Sequence, residues 1–395
     1  MEETELVVLG GGIHGVGVAQ AAAAAGYRVL LLEKTALAAG TSSRSSKLIH
    51  GGLRYLESGQ IHLVHKNLRE RELLLKLAPD LVHRTTFYIP LYEASSRHTL
   101  SVRLGLWAYD LLAGFTKAPS SFRLPRSDWD DLSGLQTLGL KAVFSYSDAQ
   151  TDDTALTRAV MHSARQLGAE LCCPATFTSA EILGDHCQVK YQVGDIEKRV
   201  KCLAIVNALG AWGINLANRT TPPLPDYPFE CIEGTHIECP GNNLSAAYYV
   251  ESPTDRRGVF ILPWGPRTLI GTTETPYYGD PDQLTPTQAS IDYLQTIYQH
   301  YFPEHDATVL DAWAGLRVLP KTASSPFNRP RETVISVNDP KNPRFVTILG
   351  GKLTGYRLTA ARVIDQLQSV LPSRTALADT AQLKLTPADD EFIPD

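Results

Sequence analysis

The pattern of apolar and polar positions at the start of the chain predicts a strand, a helix and a second strand. Residues Glu5–Leu9 are mostly apolar and precede three glycines, and an alanine-rich stretch follows. Arg28–Leu32 forms the next apolar run, which ends at Glu33. Short apolar runs fit buried strands, and a glycine turn fits the entry into a helix between them. The pattern therefore predicts a β-α-β unit and an α/β fold.

Further along the chain, the period of the apolar residues distinguishes helices from strands. Spacing near 3.6 residues predicts amphipathic helices at Ile61–Lys76 and Ala155–Leu167. Short alternating runs between Thr176 and Val206 predict a small sheet, and the runs Gly258–Leu262 and Thr268–Gly271 indicate an antiparallel sheet. The chain therefore combines a doubly wound region with a region of mixed strands and helices.

Composition narrows the class of protein. The 395 residues suffice for two domains, and the net charge of −5 excludes a strongly basic nucleic-acid binder. The six cysteines form no C-x-x-C pair, which indicates reduced thiols in a cytoplasmic protein. No run approaches the ~18 uncharged apolar residues of a membrane span. We therefore expect a cytoplasmic globular protein.

The first glycines match a dinucleotide-binding turn. Gly10, Gly12 and Gly15 have the spacing G-x-G-x-x-G, and Glu33 stands 18 residues beyond Gly15 at the end of the second predicted strand. Such glycines let the backbone approach a pyrophosphate at a helix N-terminus, and the acidic residue accepts hydrogen bonds from the ribose hydroxyls. The sequence therefore predicts a bound dinucleotide.

A polar run, Thr41–Glu57, decides which dinucleotide we expect. It contains hydroxyls at 41–46, a glycine pair at 51–52, a histidine and several cations. A second hydroxyl-rich segment directly after Glu33 favours FAD over NAD, because a nicotinamide enzyme does not need one. An arginine beside a Gly-Gly turn suits a substrate phosphate.

The Thr41–Glu57 run resembles the signature segment of the FAD-dependent glycerol-3-phosphate dehydrogenases, within the D-amino-acid-oxidase-like flavoprotein superfamily. The resemblance extends from about Leu6 to about Arg357. It implies a doubly wound, Rossmann-like FAD-binding domain and a second, mixed α+β substrate domain. We predict that these comprise residues 1–90, 150–215 and 310–375 for the FAD-binding domain, 91–149 and 216–309 for the substrate domain, and 376–395 for a flexible tail.

The resemblance also implies which residues bind FAD. In the family, these segments line the pyrophosphate and the flavin, and the amides of the Gly350–Gly351 turn stabilise the anionic reduced flavin. Carried over to this sequence, the expected cofactor-binding residues are Gly10, Gly12, Gly15, Glu33, Thr41, Ser42, Ser46, Lys47, Leu48, Ala208, Gly210, Gly350, Gly351 and Leu353.

The substrate implied by the resemblance is sn-glycerol 3-phosphate or a close phosphorylated alcohol, oxidised to its ketone. The expected phosphate-binding residues are Arg54, Arg331 and Lys352, with a hydroxyl contact from Tyr55. The expected catalytic residues are Arg317, which orients the alcohol and also contacts the phosphate, and His236 as the base, with His50 as the alternative base. A base of near-neutral pKa would suit removal of the hydroxyl proton.

Two features of the chain bear on how it would reach its electron acceptor. The chain ends about where family members begin a helical C-terminal domain, which indicates a short form. The stretch Leu100–Phe115, with Trp107 and flanking cations, fits either a helix packed on the substrate domain or a helix at the inner face of a membrane, where electrons would pass to a quinone-type acceptor.

The sequence leaves two alternative functions open. One is an oxygen-using oxidase of an amino or hydroxy acid, and the other is a non-catalytic flavin-binding sensor. The sequence does not indicate an oligomeric state.

Overall fold

The computed structural model describes residues 2–114, 121–214, 216–225, 228–321 and 333–388. Within them, the predicted β-α-β unit forms the centre of a six-stranded sheet. Its strands, in spatial order, are Val334–Val337 (β20), Phe345–Leu349 (β21), Ala204–Asn207 (β12), Leu6–Leu9 (β2), Val29–Leu32 (β3) and Glu170–Cys172 (β8). All neighbours pair in parallel except β20 and β21. This arrangement confirms the predicted α/β class.

Three helices cover one face of this sheet and build the largest apolar core. They are Ile13–Ala24 (α1), Asp153–Gln166 (α5) and Tyr356–Leu367 (α7). Val16, Val160 and Val363, one from each helix, are fully buried in the same cluster as Leu6 and Leu31 of the sheet. Helix α5 begins two residues before the predicted start, because the Asp152 carboxylate accepts a hydrogen bond from the Ala155 N–H and caps the helix.

The other face carries the small sheet that the alternating pattern predicts. Its strands are Glu2–Glu3 (β1), Ile196–Cys202 (β11), Cys187–Val193 (β10), Thr176–Ile182 (β9) and Thr220–Thr221 (β13). Phe177, Val189 and Tyr191 pack there with Val7 and Leu9. The parallel sheet is therefore buried on both faces, which explains why its strands read as continuous apolar runs.

A ten-stranded mixed sheet forms the second half of the molecule. It comprises Leu48–Ile49 (β4), Val82–Tyr92 (β5), Phe122–Arg123 (β6), Leu140–Thr151 (β7), Phe229–Pro240 (β14), Ala247–Glu251 (β15), Gly258–Trp264 (β16), Arg267–Gly271 (β17), Thr275–Tyr277 (β18) and Asp311–Pro320 (β19). The predicted antiparallel pair is present as β16 and β17.

Helices flank this large sheet on both sides. They are Arg54–Glu57 (α2), Ile61–Leu77 (α3), Thr99–Leu112 (α4) and Gln288–Tyr301 (α6). Leu294 and Tyr298 of α6 pack on one face, and Leu68 of α3 and Leu106 of α4 pack on the other. The helix predicted at Ile61–Lys76 extends one residue further. Phe115, the end of the predicted stretch Leu100–Phe115, lies outside the described residues.

Sheet membership shifts two of the predicted boundaries. Strand β5 continues through residue 90, and β19 begins at Asp311, yet both pair within the ten-stranded sheet. Strand β5 crosses the predicted boundary at residue 90 without a break, and β19 starts directly after the predicted boundary at residue 310. The division into an FAD-binding and a substrate domain stays our proposal, with these strands moved to the second.

Part of the predicted flexible tail packs against the first half of the molecule. The Leu377 N–H donates to the Ala24 carbonyl, and the Leu385 N–H donates to the Leu77 carbonyl. The Leu385 side chain is buried in the same core as α1 and α7. Residues 376–388 therefore form part of the folded structure. The reason is that the apolar side chain of Leu385, within an otherwise polar segment, packs into the core.

Candidate active site

A cavity of about 1150 Å³ lies between the two halves of the molecule. Its walls include Gly10–Gly12 after β2, Glu33 after β3, Ala208–Gly210 after β12 and Gly350–Gly351 after β21. The carboxyl ends of parallel strands meet at one edge of a sheet, which is where open α/β sheets bind ligands. The volume exceeds the ~300–1,000 Å³ of usual small-molecule pockets. A ligand as large as a dinucleotide therefore fits this position.

The turn between β2 and α1 requires glycine at two positions. Gly10 has φ +103°, a left-handed conformation that other residues rarely adopt. A Cβ on Gly15 would lie 1.8 Å from the Gly10 carbonyl oxygen, so the first turn of α1 passes directly over the end of β2. Gly10 and Gly12 line the cavity, whereas Gly15 acts through this close packing.

Glu33 points back at the glycine turn, as the dinucleotide motif predicts. Its carboxylate accepts hydrogen bonds from the Gly11 N–H at 2.6 Å and from the Thr35 N–H at 2.8 Å. Both bonds fix the carboxylate at the cavity wall, where it can also accept hydrogen bonds from hydroxyl groups.

The hydroxyl-rich run holds the cavity wall together through several different contacts. Thr41 donates to the Leu316 carbonyl at 2.8 Å, and the Ser42 hydroxyl accepts from the Ile13 N–H at 2.9 Å. The Ser46 hydroxyl lies 2.9 Å from Nε2 of His236. Ser42, Ser46 and Leu48 also line the cavity, as the predicted cofactor contacts require.

Lys47 is placed differently from the prediction. Its ammonium group forms a buried ion pair with Asp153 and donates to the Ser43 carbonyl at 2.7 Å. Lys47 is not among the residues that line the cavity. Its φ of +58° turns the side chain away from its neighbours in sequence and into the interior. Lys47 therefore anchors the polar run rather than facing the cofactor.

The Gly350–Gly351 turn closes the cavity from the other side. Both glycines have positive φ, and a Cβ on Gly351 would lie 2.4 Å from Nε2 of His14. A short helical turn, Leu353–Gly355, follows and leads into α7. Gly350, Gly351 and Leu353 line the cavity, so the backbone groups of this turn can approach a planar ring closely.

Cationic side chains gather at the substrate end of the cavity. Arg54, Arg317 and Lys352 all line it, together with Tyr55, over whose ring Lys352 Nζ lies at 3.5 Å from the centroid. These residues come from segments that are far apart in sequence, and the structure brings them together. Arg331, the remaining predicted phosphate ligand, lies outside the described residues.

Two charged residues of this end were missed by sequence reasoning. Glu274 accepts hydrogen bonds from Arg317 at 2.8 Å and from Arg54 at 3.3 Å. Arg257 lines the cavity and donates to the Glu274 carbonyl at 2.9 Å. A signal for Glu274 was present, since it directly follows the Gly271–Thr273 turn that leaves β17. No local pattern marks Arg257.

Both candidate histidines line the cavity, but neither has the near-neutral pKa that we expected of a base. Burial, reinforced by the charges of Lys352 and Arg54, lowers the pKa of His50 to about 3. Burial, with Arg317 and Lys47 nearby, lowers the pKa of His236 to about 3. Each imidazole is therefore neutral at physiological pH, and in this environment it is a weaker base than an exposed histidine.

The donor set fits FAD. The structure supplies a glycine turn at a helix N-terminus for a pyrophosphate, a carboxylate for ribose hydroxyls, and a second glycine turn that leaves room for a planar ring. The polar run from Thr41 to Leu48 spans the distance between them.

A family model described as "FAD dependent oxidoreductase" matches residues 5–361. The chain belongs to this family. FAD is its cofactor, as the sequence predicts.

Several relatives of this FAD-dependent oxidoreductase are named as dehydrogenases of phosphorylated alcohols. The aerobic glycerol-3-phosphate dehydrogenase of Escherichia coli is 34% identical over 374 residues, which cover 93% of this chain and 74% of the relative. The D-erythritol 1-phosphate dehydrogenase of Brucella abortus is 34% identical over 379 residues, which cover 94% and 75%. The resemblance to glycerol-3-phosphate dehydrogenases is thereby confirmed.

Solved structures show the same fold. The glycerol-3-phosphate dehydrogenase of Bacillus halodurans, complexed with FAD, superposes with a TM-score of 0.76 at 25% identity and covers 97% of this chain and 68% of its own. The L-α-glycerophosphate oxidase of Mycoplasma pneumoniae gives a TM-score of 0.74 at 19% identity, covering 93% of this chain and 95% of its own. The predicted FAD-binding α/β fold is therefore confirmed.

Proposed function

We propose that this oxidoreductase converts sn-glycerol 3-phosphate, or a closely related polyol phosphate, to the corresponding 2-ketone. The observation that carries the proposal is the meeting of Arg54, Arg317 and Lys352 in the cavity that also holds the two glycine turns. A phosphate bound there places its carbinol carbon beside the cofactor-binding wall. Relatives named for glycerol 3-phosphate and for erythritol 1-phosphate are equally similar in sequence, so the length of the carbon chain stays open.

The cationic side chains bind and orient the substrate. A guanidinium presents planar, paired N–H donors that match phosphate oxygens, and Lys352 adds a point charge held over the Tyr55 ring. Fixing the phosphate in this way orients the secondary alcohol, which supplies part of the rate enhancement. FAD, when bound, supplies the hydride acceptor.

A neutral histidine takes the hydroxyl proton in this proposal, and the negative charge of the bound phosphate raises its pKa by offsetting the neighbouring cations. His236 accepts it at Nε2, the atom that lies 2.9 Å from the Ser46 hydroxyl. The ring is held by stacking on Trp313 with a centroid distance of 5.8 Å. His50 is the alternative, since it also lines the cavity and stands among the cations that a phosphate would neutralise.

Anaerobic flavin bleaching tests the reaction. Holoenzyme mixed with glycerol 3-phosphate should lose its oxidised-flavin absorbance, and glycerol at the same concentration should leave it unchanged. Erythritol 1-phosphate, compared side by side, measures the preferred chain length. Equal bleaching by glycerol and by its phosphate would contradict a phosphate site.

We further propose that α4 contacts a membrane and that the electrons pass to a quinone-type acceptor. One face of α4 packs inward through Leu106 and Tyr109. The opposite face exposes a stripe of apolar side chains at helical spacing, with exposed fractions of 66%, 57%, 59% and 48% for Leu100, Leu104, Trp107 and Leu111. An exposed apolar stripe with Trp suits the headgroup layer of a bilayer. No helix among the described residues is long and apolar enough to cross one.

Liposome flotation tests this contact. Wild-type protein should float with anionic vesicles, and Trp107→Glu should stay in the dense fraction. Leu138→Glu is the matched control, because Leu138 is 84% exposed but lies outside the α4 stripe. It should float like the wild type. Wild-type protein that stays in the dense fraction would contradict the membrane proposal.

A further inference from the structure

Glu274 is a buried carboxylate among the cationic side chains at the substrate end of the cavity. It stands between β17 and β18, and its side chain is 4% exposed. One oxygen, Oε1, accepts from Nη1 of Arg317 at 2.8 Å and from Nη2 of Arg54 at 3.3 Å. The two guanidinium side chains are 25% and 21% exposed and face the cavity. A single acceptor thus joins both arginines that we assign to phosphate binding.

A carboxylate at this position has opposite effects on the empty and the occupied site. When no ligand is bound, two largely buried guanidinium groups still require negative charge nearby, because burying unpaired charge is costly. Glu274 provides that charge. With a phosphate bound, the same carboxylate faces a second anion across the arginines, and like charges in a poorly solvated site repel.

We propose that Glu274 is the counter-anion of the empty phosphate site, and that the substrate phosphate takes its place on Arg54 and Arg317. The proposal rests on the proposed function, because it requires phosphate to bind at these arginines. A phosphate monoester carries close to two negative charges at neutral pH, whereas Glu274 carries one. The exchange therefore favours dianions and selects against ligands with a single negative charge. Glu274 is in this sense a specificity-determining residue.

Glu274→Gln tests the exchange, because glutamine keeps the size and the acceptor oxygen but removes the charge. The dissociation constant of inorganic phosphate, measured by calorimetry on the holoenzyme, should fall about three- to tenfold, as expected for the loss of one nearby negative charge at an intermediate dielectric. The thermal midpoint without ligand should fall at the same time. A residue with a merely structural role would lower stability and weaken phosphate binding together, so an unchanged or increased dissociation constant overturns the proposal.

Glu251→Gln is the matched control. Glu251 is also a nearly buried glutamate, 8% exposed, and it accepts hydrogen bonds from two arginines, Arg97 and Arg256. It does not line the cavity. Its replacement should lower the thermal midpoint without tightening phosphate binding. Equal tightening in both variants would show a general effect of net charge and would overturn the assignment to Glu274.

A structure of the wild-type holoenzyme with inorganic phosphate provides a measurement that does not depend on a variant folding. Phosphate oxygens should accept hydrogen bonds from Arg54 and Arg317, and Oε1 of Glu274 should have moved out of hydrogen-bond distance of at least one of them. Glu274 still bonded to both arginines beside a bound phosphate would overturn the exchange.

These measurements separate the proposed function from the exchange at Glu274. If wild-type protein neither binds phosphate nor distinguishes glycerol 3-phosphate from glycerol, the proposed function is wrong and the exchange is wrong with it. If wild-type protein does both and Glu274→Gln binds phosphate no more tightly, the exchange alone is wrong.

Discussion

The two ends of the cavity are built from different parts of the chain. The cofactor end consists mainly of backbone turns, at Gly10–Gly12 and Gly350–Gly351, each placed by the strand that precedes it. The substrate end consists of long charged side chains, of which Arg54, Glu274 and Arg317 meet across separate segments. A binding site made of backbone groups depends on steric fit, whereas one made of charged side chains depends on the balance of charge. Substitutions at the two ends should therefore have different effects on the protein.

The largest effect is expected at the backbone end. Gly15→Ala would place a Cβ 1.8 Å from the Gly10 carbonyl oxygen, so the turn between β2 and α1 must shift. We expect a loss of more than ~3 kcal/mol of stability or a failure to retain FAD. Visible flavin absorbance relative to protein, together with the thermal midpoint, measures both.

Gly105→Ala is the control for this change. Gly105 also lies within a helix, but a Cβ there meets no atom within 4 Å. Alanine is favoured over glycine in a helix by ~1 kcal/mol, so this variant should retain FAD and be slightly more stable. A Gly15→Ala protein with normal flavin content would show that the close packing of this turn is not required.

At the charged end, Arg317→Ala should leave FAD bound and slow the reaction. It removes charge-assisted hydrogen bonds on the order of 2–4 kcal/mol from the transition state, which corresponds to roughly 30- to 1000-fold in kcat/KM. Arg54→Ala and Lys352→Ala should weaken substrate binding in the same direction. Arg199→Ala, on the exposed edge of the small sheet, should change nothing. Loss of flavin in Arg317→Ala would mean that the two ends do not act separately.

The pH dependence shows whether the histidines or the substrate phosphate limit activity in acid. His50 and His236 have pKa values of about 3, so both are neutral above pH ~4 and their protonation does not reduce activity near pH 6. The phosphate of the substrate has its second pKa near ~6, so kcat/KM should fall below that pH as the dianion is lost. A phosphonate analogue with a higher second pKa should shift the fall upward. A fall that stays at the same pH would point to an enzyme group instead.

The smallest effect concerns a contact that joins the two halves across the cavity mouth. Asp282, on the substrate side, accepts from Lys34 at 2.8 Å and from Trp212 at 2.7 Å, both on the cofactor side. All three side chains are partly exposed, and such pairs contribute ~0.2–1 kcal/mol. Asp282→Asn should therefore speed FAD dissociation by no more than about fivefold, measured by flavin fluorescence after dilution. Asp292→Asn, on the exposed face of α6, is the control. A larger increase would assign cofactor retention to this contact.

Local sequence patterns predicted the structure correctly where it depends on residues that are close together in the sequence. The strand Leu6–Leu9, the turn at Gly10 and the carboxylate of Glu33 follow from short-range periodicity and spacing, and the structure has all three. The positions of Lys47 and Leu385 could not be read in this way. Lys47 turns inward because Asp153, 106 residues away, supplies a buried partner. Leu385 is buried because the core has a site for it beside Leu77.

The α/β class, the dinucleotide turn, the family and the residue types available for a phosphate could all be predicted from the amino-acid sequence. Each of these predictions depends on a short run of residues. The chemistry of its side chains or the spacing of its apolar positions can be recognised without knowing the fold. The folded structure was needed to show that both candidate histidines have strongly lowered pKa values and that Glu274 joins Arg54 to Arg317. Burial and charge pairing depend on which distant segments meet. For that reason the balance of charge at the substrate end could not be predicted from the sequence and required the folded structure.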